Sequence, residues 1–150
     1  MVENQAVITI HMCDDDPDDQ LLVTDALQEA RLGNPIDFTS NGRELLQYLN
    51  REGDYAALKD QPLPGLILLD LNMPIMDGRE VLKVLKNDDK FKSIPIIVLT
   101  TSKAEEDVAR SYDMGVNSFV IKPVSFENLV EMIQSITEYW FNVVALPPIK

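Results

Sequence analysis

Two periods of hydrophobic spacing alternate along this chain. Val7 to Cys13 places Ile8, Ile10 and Met12 on one face and Val7, Thr9, His11 and Cys13 on the other, the two-residue period of a strand. After an acidic cluster, Leu22, Val23, Ala26, Leu27 and Ala30 recur at helical spacing, and Gly33-Asn34-Pro35 is expected to stop that helix. Ile36 to Ser40 reads as a short strand, and Asn41 can cap a helix whose apolar side is Leu45, Leu46 and Leu49. Arg51 to Gly65 is mixed, ends in Pro62-Leu63-Pro64-Gly65 and reads as a long loop. Leu66 to Leu69 is continuously apolar, as expected of a central strand covered on both faces. Asp77-Gly78 then turns into a helix carrying Val81, Leu82 and Leu85. Ile94 to Leu99 is a fourth strand, with Pro95 near its start, where a missing donor is tolerated. Ala104 to Met114 is a further helix, and Gly115-Val116-Asn117 leads to a fifth strand, Ser118 to Ile121. A last helix, from about Ser125 to Trp140, carries the stripe Phe126, Leu129, Val130, Ile133, Ile136 and Trp140.

Strands alternating in this way with helices predict an α/β fold, a doubly wound five-stranded parallel sheet with right-handed connections. In the flavodoxin-like strand order 2-1-3-4-5, ligands bind at the carboxyl ends of the strands where the order reverses, between strands one and three. Strand one ends at Asp14-Asp15 and strand three at Asp70, so the fold gathers three carboxylates in one crevice. Close carboxylates repel and need a compensating cation. A hard divalent ion such as Mg²⁺ is one candidate, and Lys122, ending strand five, is another. Thr100, ending strand four, brings a hydroxyl to the same rim. Such a set suits phosphoryl transfer, in which positive groups neutralise the phosphoryl oxygens and positioning does most of the rest. An aspartate nucleophile gives an acyl phosphate. Asp70 is the better nucleophile because it ends the central strand, which leaves Asp14 and Asp15 as metal ligands.

Composition narrows the setting. The 150 residues suffice for one domain with a closed core. A 45% hydrophobic and 25% charged make-up is that of a soluble globular protein. No segment approaches the roughly 18 apolar residues of a membrane helix, and Met1 to Gln5 lacks the start of a signal peptide. Cys13, alone, cannot form an internal disulfide, which points to a cytoplasmic location. A net charge of −12, with 13 scattered basic residues, argues against nucleic-acid partners.

The set Asp14-Asp15, Asp70-Leu71-Asn72-Met73-Pro74 with Asp77-Gly78, Leu99-Thr100-Thr101-Ser102 and Lys122-Pro123 resembles the receiver domain of bacterial two-component systems. The likeness covers roughly residues 6 to 140, with the elements in the right order and spacing. It implies that Asp70 takes a phosphoryl group from the phosphohistidine of a histidine kinase. It also implies that Asp15, Asp70 and the backbone carbonyl of Asn72 coordinate Mg²⁺, with Asp14 acting through water. Thr100 would hydrogen-bond the phosphoryl oxygens, Lys122 would pair with the phosphorylated side chain, and Phe119 occupies the aromatic switch position. Lys122-Pro123 resembles the family's usual cis peptide, and Asn72 and Ser102 sit where the family tunes self-catalysed dephosphorylation. A narrower likeness is to the single-domain regulators paired with bacterial phytochrome kinases. It rests on the Arg51 to Gly65 insertion, Asp77-Gly78-Arg79-Glu80-Val81-Leu82, and the ending Tyr139-Trp140-Phe141 through Leu146-Pro147-Pro148. That likeness implies a homodimer without an output domain: a receiver over 1–140 and an apolar tail over 141–150.

Other residues carry plainer expectations. Asp16, Asp18 and Asp19 suit a helix N-terminus; His11 reads as a packed histidine, Cys13 as a small buried hydrophobe, and Met73 and Met76 as loop packing. Trp140, Phe141, Val144 and Leu146 either fold back on the domain or form a dimer or partner surface. With nothing past Trp140 able to read DNA, the output would be binding to another, unknown protein. Two other functions compete: a small-molecule phosphatase using an aspartyl phosphate, and a receiver-like scaffold without phosphotransfer. The phosphatases place a second acid two residues after the nucleophile, where this chain has Asn72, and a degenerate scaffold usually lacks one of the acids present here.

Overall fold

A computed structural model describes residues 8–71, 73–76, 78–100, 118–121, 123 and 125–138, with the backbone alone at 100, 118 and 119. Its strands are β1 (Ile10–Cys13), β2 (Ile36–Thr39), β3 (Leu66–Asp70), β4 (Ile96–Thr100) and β5 (Ser118–Ile121). Its helices are α1 (Pro17–Glu29), α2 (Gly42–Asn50), α3 (Gly78–Lys86) and α4 (Phe126–Glu138). All strand pairs are parallel, in the order β2-β1-β3-β4-β5. The expected helix over Ala104 to Met114 lies outside the described residues. No helix among the described residues is long and apolar enough to cross a membrane.

Strand alternation divides the core in two. Cys13, Ile67, Leu69, Ile96 and Val98 pack with Leu45, Tyr48, Leu49, Val81, Leu82 and Leu85 of α2 and α3. Ile10, Met12, Leu66, Leu68, Ile97 and Leu99 pack on the other side with Val23, Ala26 and Leu27 of α1 and Leu129 and Ile133 of α4. Both faces of β1, β3 and β4 are therefore covered, which explains the continuous apolar runs of β3 and β4.

Several boundaries differ from the hydrophobic pattern. Strand β1 begins at Ile10; Val7 lies outside the described residues, and Ile8 and Thr9 are held by an Asn34 side-chain donor to the Ile8 carbonyl and by the Gly65 N–H to the Thr9 carbonyl. Ile94 and Pro95 precede β4, although the Pro95 carbonyl accepts from Ile67 N–H. Helix α1 does not wait for Gly33: Arg31 takes the left-handed conformation, φ 59°, and Leu32 N–H reaches back to the Leu27 carbonyl. Leu22, expected on the apolar face of α1, is 43% exposed, and Phe126 at the start of α4 is also exposed. The Arg51 to Gly65 stretch contains a 3₁₀ helix, Gly53–Leu58, rather than being loop throughout. Tyr55 anchors it, edge-on to Tyr48 and donating to a Glu44 carboxylate oxygen at 2.6 Å.

His11 is buried as expected, in a polar network that its strand register creates. It lies opposite Asp37 across the β1–β2 ladder; its Nδ1 is 2.7 Å from Asp37 Oδ1 and its Nε2 is 2.9 Å from Thr39 Oγ1. Tyr48 stacks on the imidazole at 4.0 Å and donates its hydroxyl to Asp37 Oδ2 at 2.7 Å. Partial burial pushes the Asp37 carboxyl upward, but the hydrogen bonds from His11 and Tyr48, the His11 charge and nearby Arg51 outweigh it, so the group sits below the usual carboxylate range. A depressed carboxyl contributes stability that is present above the unfolded-state value and is lost as pH falls through the folded one. Asp37→Asn should therefore be less stable than the parent at pH 7, by about 1 kcal/mol. In urea melts the gap should narrow as pH falls below the usual carboxylate range; a gap of constant size from pH 7 down through that range would show that the charge of Asp37 is irrelevant.

Candidate metal and phosphoryl site

Asp14 follows β1 directly, and the ladder carries on into it: its N–H donates to the Thr39 carbonyl at 3.0 Å. Its carboxylate is fully buried and accepts from Asp16 N–H at 2.9 Å, while the Gln20 side-chain amide donates to its carbonyl at 2.8 Å. Asp16 begins α1 as its N-cap, accepting from Asp18 N–H, with Pro17 in the first turn. Asp18 and Asp19 occupy that same first turn, so these acids belong to the helix end as expected. Asp15, exposed, is left facing the crevice rim.

Asp70 ends β3, opposite Leu99 of β4, and is 7% exposed. One carboxylate oxygen from each of Asp14, Asp15 and Asp70 lies within 4.8 Å of the others. Oxygen donors at this spacing fit a hard divalent cation, which binds carboxylates and retains waters, and they do not fit a soft metal that prefers sulfur or imidazole. The one thiol nearby, Cys13, is taken up elsewhere: it donates toward the Asn41 carbonyl at 3.3 Å and lies 3.5 Å from the Met73 sulfur. Burial pushes that thiol up to about 12, so it stays protonated.

The segment after Asp70 is held close by two glycines whose role the hydrophobic pattern did not reveal. Gly78 N–H donates to the Leu71 carbonyl at 3.0 Å, and a Cβ at Gly78 would lie 2.5 Å from the Asp70 carbonyl oxygen. Gly42 N–H donates to the Met76 carbonyl at 2.9 Å, and a Cβ there would lie 2.7 Å from that oxygen. Each glycine sits in the first turn of its helix, where it weakens the helix, and that placement is the sequence signal of a close approach. Met73 and Met76 pack against the core as expected.

Of the remaining expected site residues, Thr100 ends β4 opposite Ile121 of β5, and Phe119 lies opposite Val98. The side chains of Thr100 and Phe119 are not described. Asn72, Lys122 with its bond to Pro123, and Trp140, Phe141, Val144 and Leu146 lie outside the described residues.

A buried acid ending the central parallel strand, beside two acids that follow the neighbouring strand at the switch point, forms a candidate divalent-cation site on a doubly wound sheet. The chain belongs to the response regulator receiver domain family, whose sequence profile matches residues 10–134. It is 37% identical to response regulator Rcp1 of Synechocystis over 138 residues, 92% of each chain. Its fold matches the crystal structure of the phosphorylated cyanobacterial phytochrome response regulator RcpA with a TM-score of 0.86 at 37% identity, covering 95% of this chain and 100% of that one. The Mn²⁺-bound form of Rcp1 matches with a TM-score of 0.82 at 36% identity, covering 94% and 99%.

Divalent cation binding should be measurable on the protein alone. Mg²⁺ or Mn²⁺ should raise the melting temperature with a one-to-one calorimetric stoichiometry. Asp15→Asn should weaken binding by about tenfold or more. Unchanged affinity in that variant would place the ion elsewhere.

Proposed function

We propose that this response regulator accepts a phosphoryl group on Asp70 from the phosphohistidine of a histidine kinase and signals through altered protein binding. The observation that carries this reading is the cluster of Asp14, Asp15 and Asp70 at the switch point, with Asp70 ending the buried central strand. An Asp70 oxygen forms a bond to phosphorus as the P–N bond of phosphohistidine breaks, and the departing imidazole nitrogen keeps that electron pair. Mg²⁺ is the proposed ion, held by Asp15, Asp70 and the Asn72 carbonyl with Asp14 acting through water; when bound it neutralises phosphoryl oxygens. Thr100 is proposed to donate to those oxygens and Lys122, next in the chain after Ile121, to pair with them. Phe119 is the proposed aromatic switch, and Lys122-Pro123 the proposed cis bond. The phosphorylated state then favours one arrangement of this rim, and partners that bind it shift the population further.

The relatives named above motivate the finer proposals. A phytochrome-type kinase is the proposed donor, working in the cytoplasm, and the receiver is proposed to span 1–140. Residues 141–150, with Trp140, are proposed as a homodimer or partner surface through Trp140, Phe141, Val144 and Leu146. Turnover of a small phosphate ester is not proposed, because Asn72 stands where such phosphatases carry their second acid.

Intact mass after incubation with phosphoramidate and Mg²⁺ should show one added phosphoryl group, absent in Asp70→Asn and absent when the metal is chelated. Addition that survives in Asp70→Asn would move the acceptor, and no addition from phosphoramidate or a kinase would leave the scaffold reading. In sedimentation, the full chain should be a dimer that Trp140→Ala weakens; a concentration-independent monomer, with or without phosphorylation, would remove the homodimer.

A further inference from the structure

Among the described residues, three other than glycine adopt positive φ: Arg31, Arg51 and Ile75. The two arginines end α1 and α2, where a left-handed residue closes the helix through backward N–H to carbonyl bonds, and their unbranched side chains tolerate it. Ile75 ends no helix. It is the middle residue of Pro74-Ile75-Met76, with φ 69°, and Met76 N–H donates to the Pro74 carbonyl at 2.8 Å. That is a γ-turn with a positive central φ, the rare and strained form, and here its centre is a β-branched residue.

The turn is imposed from both ends. Met76 is bonded to Gly42 and Leu71 to Gly78, and Met73 packs inward, so the backbone between has little choice. Glycine or asparagine would occupy this position with less strain. The isoleucine also brings no burial: at 71% it is the most exposed large hydrophobic side chain among the described residues. Backbone and hydration terms both run against it, so neither folding nor core packing accounts for an isoleucine here.

Its place in the fold does. Ile75 stands five residues beyond Asp70, on the segment that bounds the acidic crevice. A protein donor must bring phosphorus to a carboxylate that is only 7% exposed, so it must seat on this rim. Resting on the reading of Asp70 as phosphoacceptor, we infer that Ile75 is an apolar specificity contact for the phosphohistidine-bearing protein. The acids Asp15, Asp16, Asp18 and Asp19, in the acidic cluster and the start of α1 beside it, repel an acidic surface, so the donor should meet Ile75 with an apolar side chain set among neutral or basic ones.

The test compares a protein donor with a small one. Wild type, Ile75→Asn and Ile75→Leu are phosphorylated by phosphoramidate with Mg²⁺, and by whichever of a panel of autophosphorylated histidine kinases, phytochrome kinases included, labels wild type fastest. Melting temperature is recorded for each variant. Ile75→Asn should melt no lower than wild type, keep its phosphoramidate rate and lose about tenfold in kcat/KM with the kinase. Ile75→Leu should retain most of the kinase rate. Equal kinase rates in wild type and Ile75→Asn would overturn the contact while leaving Asp70 as acceptor. Equal slowing with both donors would overturn it as well, making Ile75 a support of the site. Labelling of wild type by phosphoramidate but by no kinase would remove the protein donor, and labelling by neither would remove the acceptor reading with it.

Discussion

Like charge held at short range is the constraint on which the rest of this structure depends. Two carboxylates 4.8 Å apart, as the oxygens of Asp14 and Asp70 are at most, repel by about 3 kcal/mol at an effective dielectric near 20. Asp15 adds to that repulsion, with solvent screening part of it because it is exposed. Their closeness is set by the strands that carry them, through the parallel register: β1 lies beside β3 with Cys13 opposite Leu69, so the residues that follow emerge side by side. The register in turn is fixed by apolar side chains on both faces of β1 and β3, where a slip of one residue would exchange the two cores. Hydrophobic burial thus holds a charge arrangement that a cation would relieve.

The parts of the fold readable from sequence are those with a repeating cause. Continuous apolar runs located β3 and β4, and helical spacing located α2, α3 and α4, because in each case one term, burial, outweighs all others. Asp14, Asp15 and Asp70 followed as a topological consequence, since in this strand order the ends of β1 and β3 have to meet. What escaped the pattern depends on partners distant in sequence. His11 could be read as buried, but its bonds to Asp37 and Thr39 exist only once β1 and β2 are aligned. The end of α1 turned on which residue could close the last turn, and Arg31 closed it two residues before the glycine. The 3₁₀ helix after α2 forms because Tyr55 finds Tyr48 and Glu44, contacts that no local periodicity records.

The His11 network also changes the meaning of the strand that carries the site. Thr39 connects the two: its hydroxyl meets His11, and its carbonyl accepts from the N–H of Asp14. A continuous set of hydrogen bonds therefore runs from Tyr48 and Asp37 through His11 and Thr39 to the backbone of Asp14. His11 and Thr39 have an alternative in water that burial withholds, so the set is strong only while complete. It fixes the backbone of Asp14, the buried floor of the crevice.

A fixed floor matters because the chemistry proposed for Asp70 delivers charge to one point and must produce a change elsewhere. Were Asp14 or Asp70 free to shift, repulsion would simply push them apart, and the charge of an arriving phosphoryl group would be taken up by their movement instead of moving the rim. The structure denies them that freedom: Asp14 is bonded through its N–H, carbonyl and carboxylate, and the backbone leaving Asp70 is clamped by Gly78 with no room even for a methyl group. The response then falls on groups not so clamped. The strained turn at Ile75 belongs to the same economy of rigidity, since only a segment tied at Gly42 and Gly78 can hold a β-branched residue at φ 69° and present it to a partner. A donor that meets a preset side chain loses less conformational entropy on docking than one that must order the rim first, so the strain is carried by the folded state in advance of binding.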